Sequence, residues 1–267
     1  MELYKLIKPS VKRVPVLLSI PHAGTFFPSN LREEFKEELL PPDDTDWFVD
    51  QLYDFARSLG ITVIAANYSR WIIDLNRNPN AVPLYNDGRL ITGLCPSTDF
   101  LGTPIYKDER LLVEEKEIER RTKLYFEPYH QKIQDLMDDL KAEFGSVLLW
   151  DCHSIRRIVP TISADAFPDL ILGTADGTST DPAFISAAIC VLSEGFNVSH
   201  NSPFKGGFIT RRFGQPENSQ HALQLEMSKD LYMDNSETRY DKQRAEKIQF
   251  TLKKCLNNLI DLLMHNK

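Results

Sequence analysis

The run Ser146-Val147-Leu148-Leu149-Trp150-Asp151-Cys152-His153-Ser154 carries mostly apolar residues straight into a polar group able to bind a metal or move a proton. A second imidazole, His22, leaves another apolar run, Val14 to Ile20, through Pro21. Between them lies the acidic cluster Asp43-Asp44-Thr45-Asp46. A His, carboxylate, His set suits a catalytic zinc site with one position left for water, and such an ion lowers the pKa of its water toward ~7. Spacing does not demand this, because no H-E-x-x-H helix is present and a lone histidine is more often a hydrogen-bonded structural residue.

Glu226 ends a run, His221 to Ser228, in which Leu223, Leu225 and Met227 alternate with Gln224, Glu226 and Ser228. A carboxylate there needs a partner or a task. A general base and an ion pair with a nearby Arg or Lys stand as equal readings. Arg70, Arg77 and Arg211 could hold a carboxylate bidentately, or pair internally with acids such as Asp74. His221 and Gln224 could support the site, although a surface turn explains His221 as well. His130 lies beside an apolar helical stripe and reads as a packing residue. Cys152 neighbours His153, but successive strand residues face opposite ways, so a thiol and imidazole dyad fails there. Ser154 lacks the G-x-S-x-G elbow of a serine hydrolase.

The elements that must position these groups follow from periodicity. Val14 to Ile20, Ile61 to Asn67, the run ending at Ser154, Asp169 to Thr174 and His221 to Ser228 read as strands bounded by turn formers. Along the central one, Val147, Leu149, Asp151 and His153 share a face opposite Trp150, Cys152 and Ser154. Arg70 to Arg77 reads as a strand with Ile72, Asp74 and Asn76 on one side, and Gly206 to Arg211 as a loop entering another. Asp43 to Asp46 offer caps for a helix with Phe48, Val49, Leu52, Phe55 and Leu59 as its stripe, closed by Gly60. Asp108 to Phe144 reads as a long helix that Pro128 kinks or divides. Helices also follow from Pro182 to Gly195 and from about Arg239 to Met264. The Pro- and Gly-rich stretch 78–107 reads as a lid or substrate loop. No repeat or linker divides residues 1–267, so one domain is expected.

Composition narrows the class. With 267 residues, 42% apolar and 26% charged, the chain has enough material for a well-cored α/β domain. A net charge of −7, with basic residues spread among acids, argues against a nucleic-acid partner. No apolar run approaches the ~20 residues of a membrane span, and the run after the basic N-terminus is too short for a secretory signal. Four scattered cysteines read as free thiols, and a cytoplasmic protein is expected.

Six ordered blocks carry a resemblance. They are Ser-Ile-Pro-His22-Ala-Gly, Thr-Asp46-Trp-Phe-Val-Asp-Gln-Leu-Tyr, Ser-Arg70-Trp-Ile-Ile-Asp74-Leu-Asn76-Arg77, Asp151-Cys-His153-Ser154, Gly206-Gly207-Phe-Ile-Thr-Arg211, and His221-Ala-Leu-Gln224-Leu-Glu226-Met-Ser-Lys-Asp-Leu-Tyr-Met-Asp. Together, from about residue 14 to 235, they resemble the N-formylglutamate amidohydrolase family.

The resemblance implies a phosphorylase/hydrolase-like α/β fold related to zinc carboxypeptidases, with a mainly parallel mixed sheet and helices on both faces. It implies hydrolysis of N-formyl-L-glutamate to formate and L-glutamate, late in histidine degradation. By position, His22, Asp46 and His153 resemble the ligands of a divalent metal, most simply Zn(2+), and Glu226 the base. Asp46 is preferred to Asp44 because the family motif holds its Asp there. Candidate substrate contacts are Arg70, Asn76, Arg77, Ser154, Arg211 and Gln224, with one or more of the arginines gripping the substrate carboxylates and Asp74, Asp151 and His221 as candidate support. The partner is then a small anionic N-acyl amino acid. A binding protein without turnover, a thiol hydrolase and a hydrolase of another small N-acyl amino acid remain as alternatives.

Overall fold

Seven strands, β1 (Tyr4–Ile7), β2 (Val16–Ile20), β3 (Thr62–Ala66), β4 (Val147–Ile155), β5 (Leu170–Gly173), β6 (Val198–His200) and β7 (Gln220–Ser228), form one sheet in the order β1-β3-β2-β4-β7-β5-β6. The computed structural model describes residues 1–80, 88, 90–110 and 112–265. Strands β3, β2, β4 and β7 run parallel, β6 runs parallel to β5, and β1 and β5 are antiparallel to β3 and β7. All nine residues of β4 are buried, as a central strand covered on both faces must be.

Helices α1 (Ser29–Arg32), α2 (Val49–Leu52), α3 (Glu115–Arg121), α4 (Glu127–Phe144), α5 (Pro182–Leu192), α6 (Phe208–Phe213) and α7 (Lys242–His265) join the strands. On one face, Leu148, Trp150 and Cys152 pack with Phe184 of α5 and Leu252 and Leu256 of α7. On the other, Val147 and Leu149 pack with Ile133 and Met137 of α4 and with Ile209 of α6. Each fully buried aliphatic side chain contributes about 1.5–3 kcal/mol, so the two layers clamp the centre of the sheet.

Local chemistry explains most boundaries. The α4 helix begins with Pro128 in its first turn and ends at Gly145, whose φ of 84° is the left-handed cap that glycine adopts without strain. Upstream of Pro128 the helix is not broken, since Arg121, Thr122, Phe126 and Glu127 all keep right-handed helical backbone. Residues Thr122–Phe126 form a π-turn between α3 and α4.

Three expectations are corrected. Arg70 to Arg77 pairs with no strand; it is a chain of turns. Trp71, Ile72, Ile73 and Leu75 are all buried in one cluster, so the segment has no exposed face to support alternation. Gly206 to Arg211 leads into α6 rather than a strand, with the Arg211 amide donating to the Gly207 carbonyl. The helix after Asp46 is shorter than its stripe suggested, because α2 stops at Leu52 and a 3₁₀ segment, Asp54–Leu59, carries the chain to Gly60. Strands β1 and β6 were not anticipated: four and three residues are too short to show a period. Part of the 78–107 stretch lies outside the described residues. No described helix is long and apolar enough to cross a membrane.

Candidate active site

The carboxyl ends of β2, β4 and β7 open into a cavity of about 940 Å³, the edge where open α/β sheets hold ligands. Strand alternation turns Asp151 and His153 of β4 toward it, and the parallel register sets Gln224 beside Asp151 and Glu226 beside His153. His22 leaves β2 into the same space. Its carbonyl accepts a bond from the Asp46 amide at 3.0 Å, which draws the 43–46 turn alongside. Gly24 lets the loop leaving β2 run against the chain after β3; a Cβ there would lie 2.4 Å from the Tyr68 carbonyl oxygen.

The two imidazoles converge. Their ring centroids are 4.9 Å apart, and ligand atoms of His22, Asp46 and His153 all lie within 4.8 Å of one another. Each ring gives its Nε2 to a different carboxylate, His22 to Asp74 at 2.8 Å and His153 to Asp151 at 2.8 Å. That fixes both rings with Nδ1 toward Asp46, whose Oδ2 is 3.2 Å from His153 Nδ1 and 3.8 Å from His22 Nδ1. His22 Nδ1 is buried and without a hydrogen-bond partner. Two ring nitrogens and a carboxylate oxygen, each ring oriented by an outer acid, form a donor set that fits a divalent cation once both rings are deprotonated at Nδ1.

Charge is held asymmetrically. Burial works against the Asp74 carboxylate, but Arg70 and His22 hold it well below the usual carboxylate range. Burial and the nearby Arg70 push His22 down. His153 is also penalised by burial, yet Asp151 and Asp46 outweigh this and raise it. Among the described residues no cation lies within ion-pair distance of Glu226. Burial, partly offset by His153 and Arg70, pushes it up to about 8, the kind of perturbation by which candidate functional carboxyls are found.

The three arginines separate. Arg70 is buried and bound to Asp74 at 2.6 Å, with Asp46 at 3.9 Å and its guanidinium 4.7 Å above the Phe100 ring, so it knits the site's acids together. Arg77 lines the cavity with Asp74 at 3.7 Å and Thr92 at 3.0 Å. Arg211 lines the cavity and is exposed; its Nε donates to the Gly206 carbonyl, and no described carboxylate lies within ion-pair distance.

The remaining sequence candidates divide likewise. Asn76 and Gln224 line the cavity and bond to the protein itself, including the Gly207 and Ile209 amides. Ser154 lends its amide to Asp46 at 3.2 Å, and its hydroxyl lies 2.7 Å from that of Tyr232. His221 is corrected away from the site: its odd place on β7 turns it to the opposite face, against Phe184. Asp44 bonds Trp71 and the Phe100 amide instead of the imidazoles. His130 stacks on Phe126 and bonds the Leu75 carbonyl, a packing role. Cys152 is buried on the far face, and burial raises the cavity-lining Cys95 to about 11, which leaves no thiolate near neutral pH. Sequence reasoning missed Phe100, Arg212 and Tyr232. Tyr232 stood in a quoted block without a role, and Arg212 adjoins Arg211; Phe100 gave no signal.

A mixed α/β sheet whose carboxyl edge opens a cavity lined by converging imidazoles and carboxyls defines a small-molecule site of the open α/β class. A family model described as N-formylglutamate amidohydrolase matches residues 14–233. N-formylglutamate deformylases of Pseudomonas putida and Pseudomonas aeruginosa are each 42% identical over 251 residues, covering 93% of this chain and 93% of theirs. The crystal structure of an N-formylglutamate amidohydrolase from Ralstonia eutropha JMP134 superposes with a TM-score of 0.80 at 26% identity, over 98% of this chain and 99% of that one. An Agrobacterium tumefaciens gene product of 16% identity shares the fold, with a TM-score of 0.71 over 97% and 96% of the chains. The chain belongs to the N-formylglutamate amidohydrolase family and is an amidohydrolase acting on a linear amide.

Proposed function

We propose that this enzyme hydrolyses the amide of N-formyl-L-glutamate to formate and L-glutamate, using a divalent cation, most simply Zn(2+), held by His22, Asp46 and His153. The observation that carries the reading is the partnerless His22 Nδ1, buried and turned with His153 Nδ1 toward one oxygen of Asp46. A cation held there would supply Lewis acidity to water and to the formyl oxygen.

The chain's own residues do the rest. Asp74 and Asp151 fix the two imidazole tautomers and keep their Nδ1 lone pairs directed inward. Glu226, on the next strand to His153, takes the proton of the attacking water and delivers it to the leaving amine. Its raised pKa reflects burial with Asp46 and Asp151 nearby, and positive charge placed among those acids would bring it down toward neutrality. Arg211, with Arg77, takes the substrate carboxylates in the bidentate geometry that guanidinium favours. Arg70 contributes by neutralising Asp46 and Asp74 rather than by touching substrate. On this reading residues 1–267 act as one domain related to the zinc carboxypeptidases, and the enzyme works in the cytoplasm in histidine degradation.

The test is a panel of N-acyl amino acids incubated with metal-free protein plus zinc, cobalt, nickel or no metal, with release of free amino acid measured. The reading expects N-formyl-L-glutamate to be cleaved fastest and only with metal. Release of amino acid from another N-acyl compound in preference would move the assignment to that substrate. Binding without release would make the protein a carboxylate binder.

A further inference from the structure

Asn76 lies where two parts of the site meet, and its single side chain touches both. Its Oδ1 accepts a bond from the Ile209 amide at 2.7 Å, and its backbone carbonyl accepts one from Phe208 at 3.1 Å, so the start of α6 hangs on this residue. Its Nδ2 lies 3.1 Å from Asp151 Oδ2, 3.2 Å from Gln224 Oε1 and 3.0 Å from His153 Nε2. An amide nitrogen has two protons. His153 Nε2 donates its own to Asp151, so the Asn76 protons go to Asp151 and Gln224, and the amide is fully satisfied. Gln224 Oε1 in turn accepts from the Gly207 amide at 2.8 Å. The approach requires glycine, since a Cβ on Gly207 would lie 2.5 Å from Asn76 Cγ.

We propose that Asn76 is a positioning residue that ties α6, and with it Arg211, to the Asp151–His153 pair, so that the substrate anchor and the catalytic edge are held in one register. The proposal rests on the reading of His153 as a cation ligand and Arg211 as the carboxylate anchor. Among the described residues no other side chain accepts from α6 and donates to Asp151 at once. An aspartate at position 76 would keep the acceptor for Ile209 but place a second carboxylate against Asp151.

The experiment compares the wild type, Asn76→Ala, Arg211→Ala and the double variant. It reads KM and kcat for N-formyl-L-glutamate, zinc affinity by competition with a chromophoric chelator, and amide hydrogen exchange across residues 207–213. The link predicts that Asn76→Ala lowers kcat/KM about 100-fold, weakens zinc about 10-fold and speeds exchange across 207–213. Arg211→Ala should raise KM alone, and adding Asn76→Ala to it should raise KM no further. Gly207→Ala, which strikes the same contact from the helix side, should reproduce the Asn76→Ala pattern if that variant folds poorly. Unchanged zinc affinity and exchange in both Asn76→Ala and Gly207→Ala, or KM losses that multiply in the double variant, would overturn the link. A wild type that binds zinc but leaves N-formyl-L-glutamate intact removes the functional reading instead, while zinc affinity and exchange still decide the role of Asn76.

Discussion

Glu226 is the register partner of His153 across the β4–β7 ladder, so a carboxyl whose pKa is pushed up to about 8 sits one strand away from an imidazole of the converging pair. Removing its charge while keeping its shape isolates its role. Glu226→Gln is expected to lower kcat by about 100- to 10,000-fold with zinc affinity unchanged, measured by steady-state turnover alongside chelator competition. Turnover within threefold of the wild type would end the role of Glu226 as base.

Ligand-linked stability gives a test free of substrate. Zinc at 100 times its Kd should stabilise the folded chain by about 2.7 kcal/mol, which for a protein of this size raises Tm by about 5–10 °C. His22→Ala should abolish that rise, since it removes the donor whose Nδ1 has no other partner. A zinc-induced shift of full size in His22→Ala, seen by calorimetry, would place the ion elsewhere.

The arginines should respond differently. Arg211→Ala is expected to raise KM about 10- to 100-fold with little change in stability, the loss of a charge-assisted bond of about 1.5–3 kcal/mol. Arg211→Lys should recover only part, because ammonium cannot pair bidentately. Arg70→Met leaves Asp46 and Asp74 buried without their cation and should cost about 3–5 kcal/mol in urea unfolding. Equal stability of the wild type and Arg70→Met would show that Arg70 is not what holds those acids.

His130, packed behind the cavity wall against the Leu75 carbonyl and Phe208, supplies a pH dependence of its own. Burial lowers its pKa to about 3, while the unfolded chain would titrate near the ordinary 6.5. Between those values the unfolded state binds the extra proton, so the contribution is present above pH 6.5 and lost as pH falls toward 3. At pH 4 the loss is about 3 kcal/mol. Unfolding free energies of His130→Gln should therefore decline less than those of the wild type from pH 6.5 to 4, by about that amount. Parallel curves would assign the acid limb to other groups.

Much of this arrangement was legible in the chain. The alternation along Val147–Ile155 and Gln220–Ser228 already put Asp151 with His153 and Gln224 with Glu226, because a strand has a period of two. His221 belonged by the same period to the wrong face, and the structure turns it to Phe184. Arg70 to Arg77 misled because its apolar residues satisfy a cluster beneath a turn, not one side of a sheet. Local pattern therefore determined which side chains leave the ends of β2, β4 and β7, and the ordered motifs determined the family. Only the tertiary structure decided that His22 and His153 meet over Asp46, that Arg70 is consumed by acids while Arg211 is not, and that Asn76 joins the two halves. Those facts depend on crossovers between elements as much as 131 residues apart in sequence, and periodicity carries no information about which distant strands lie side by side.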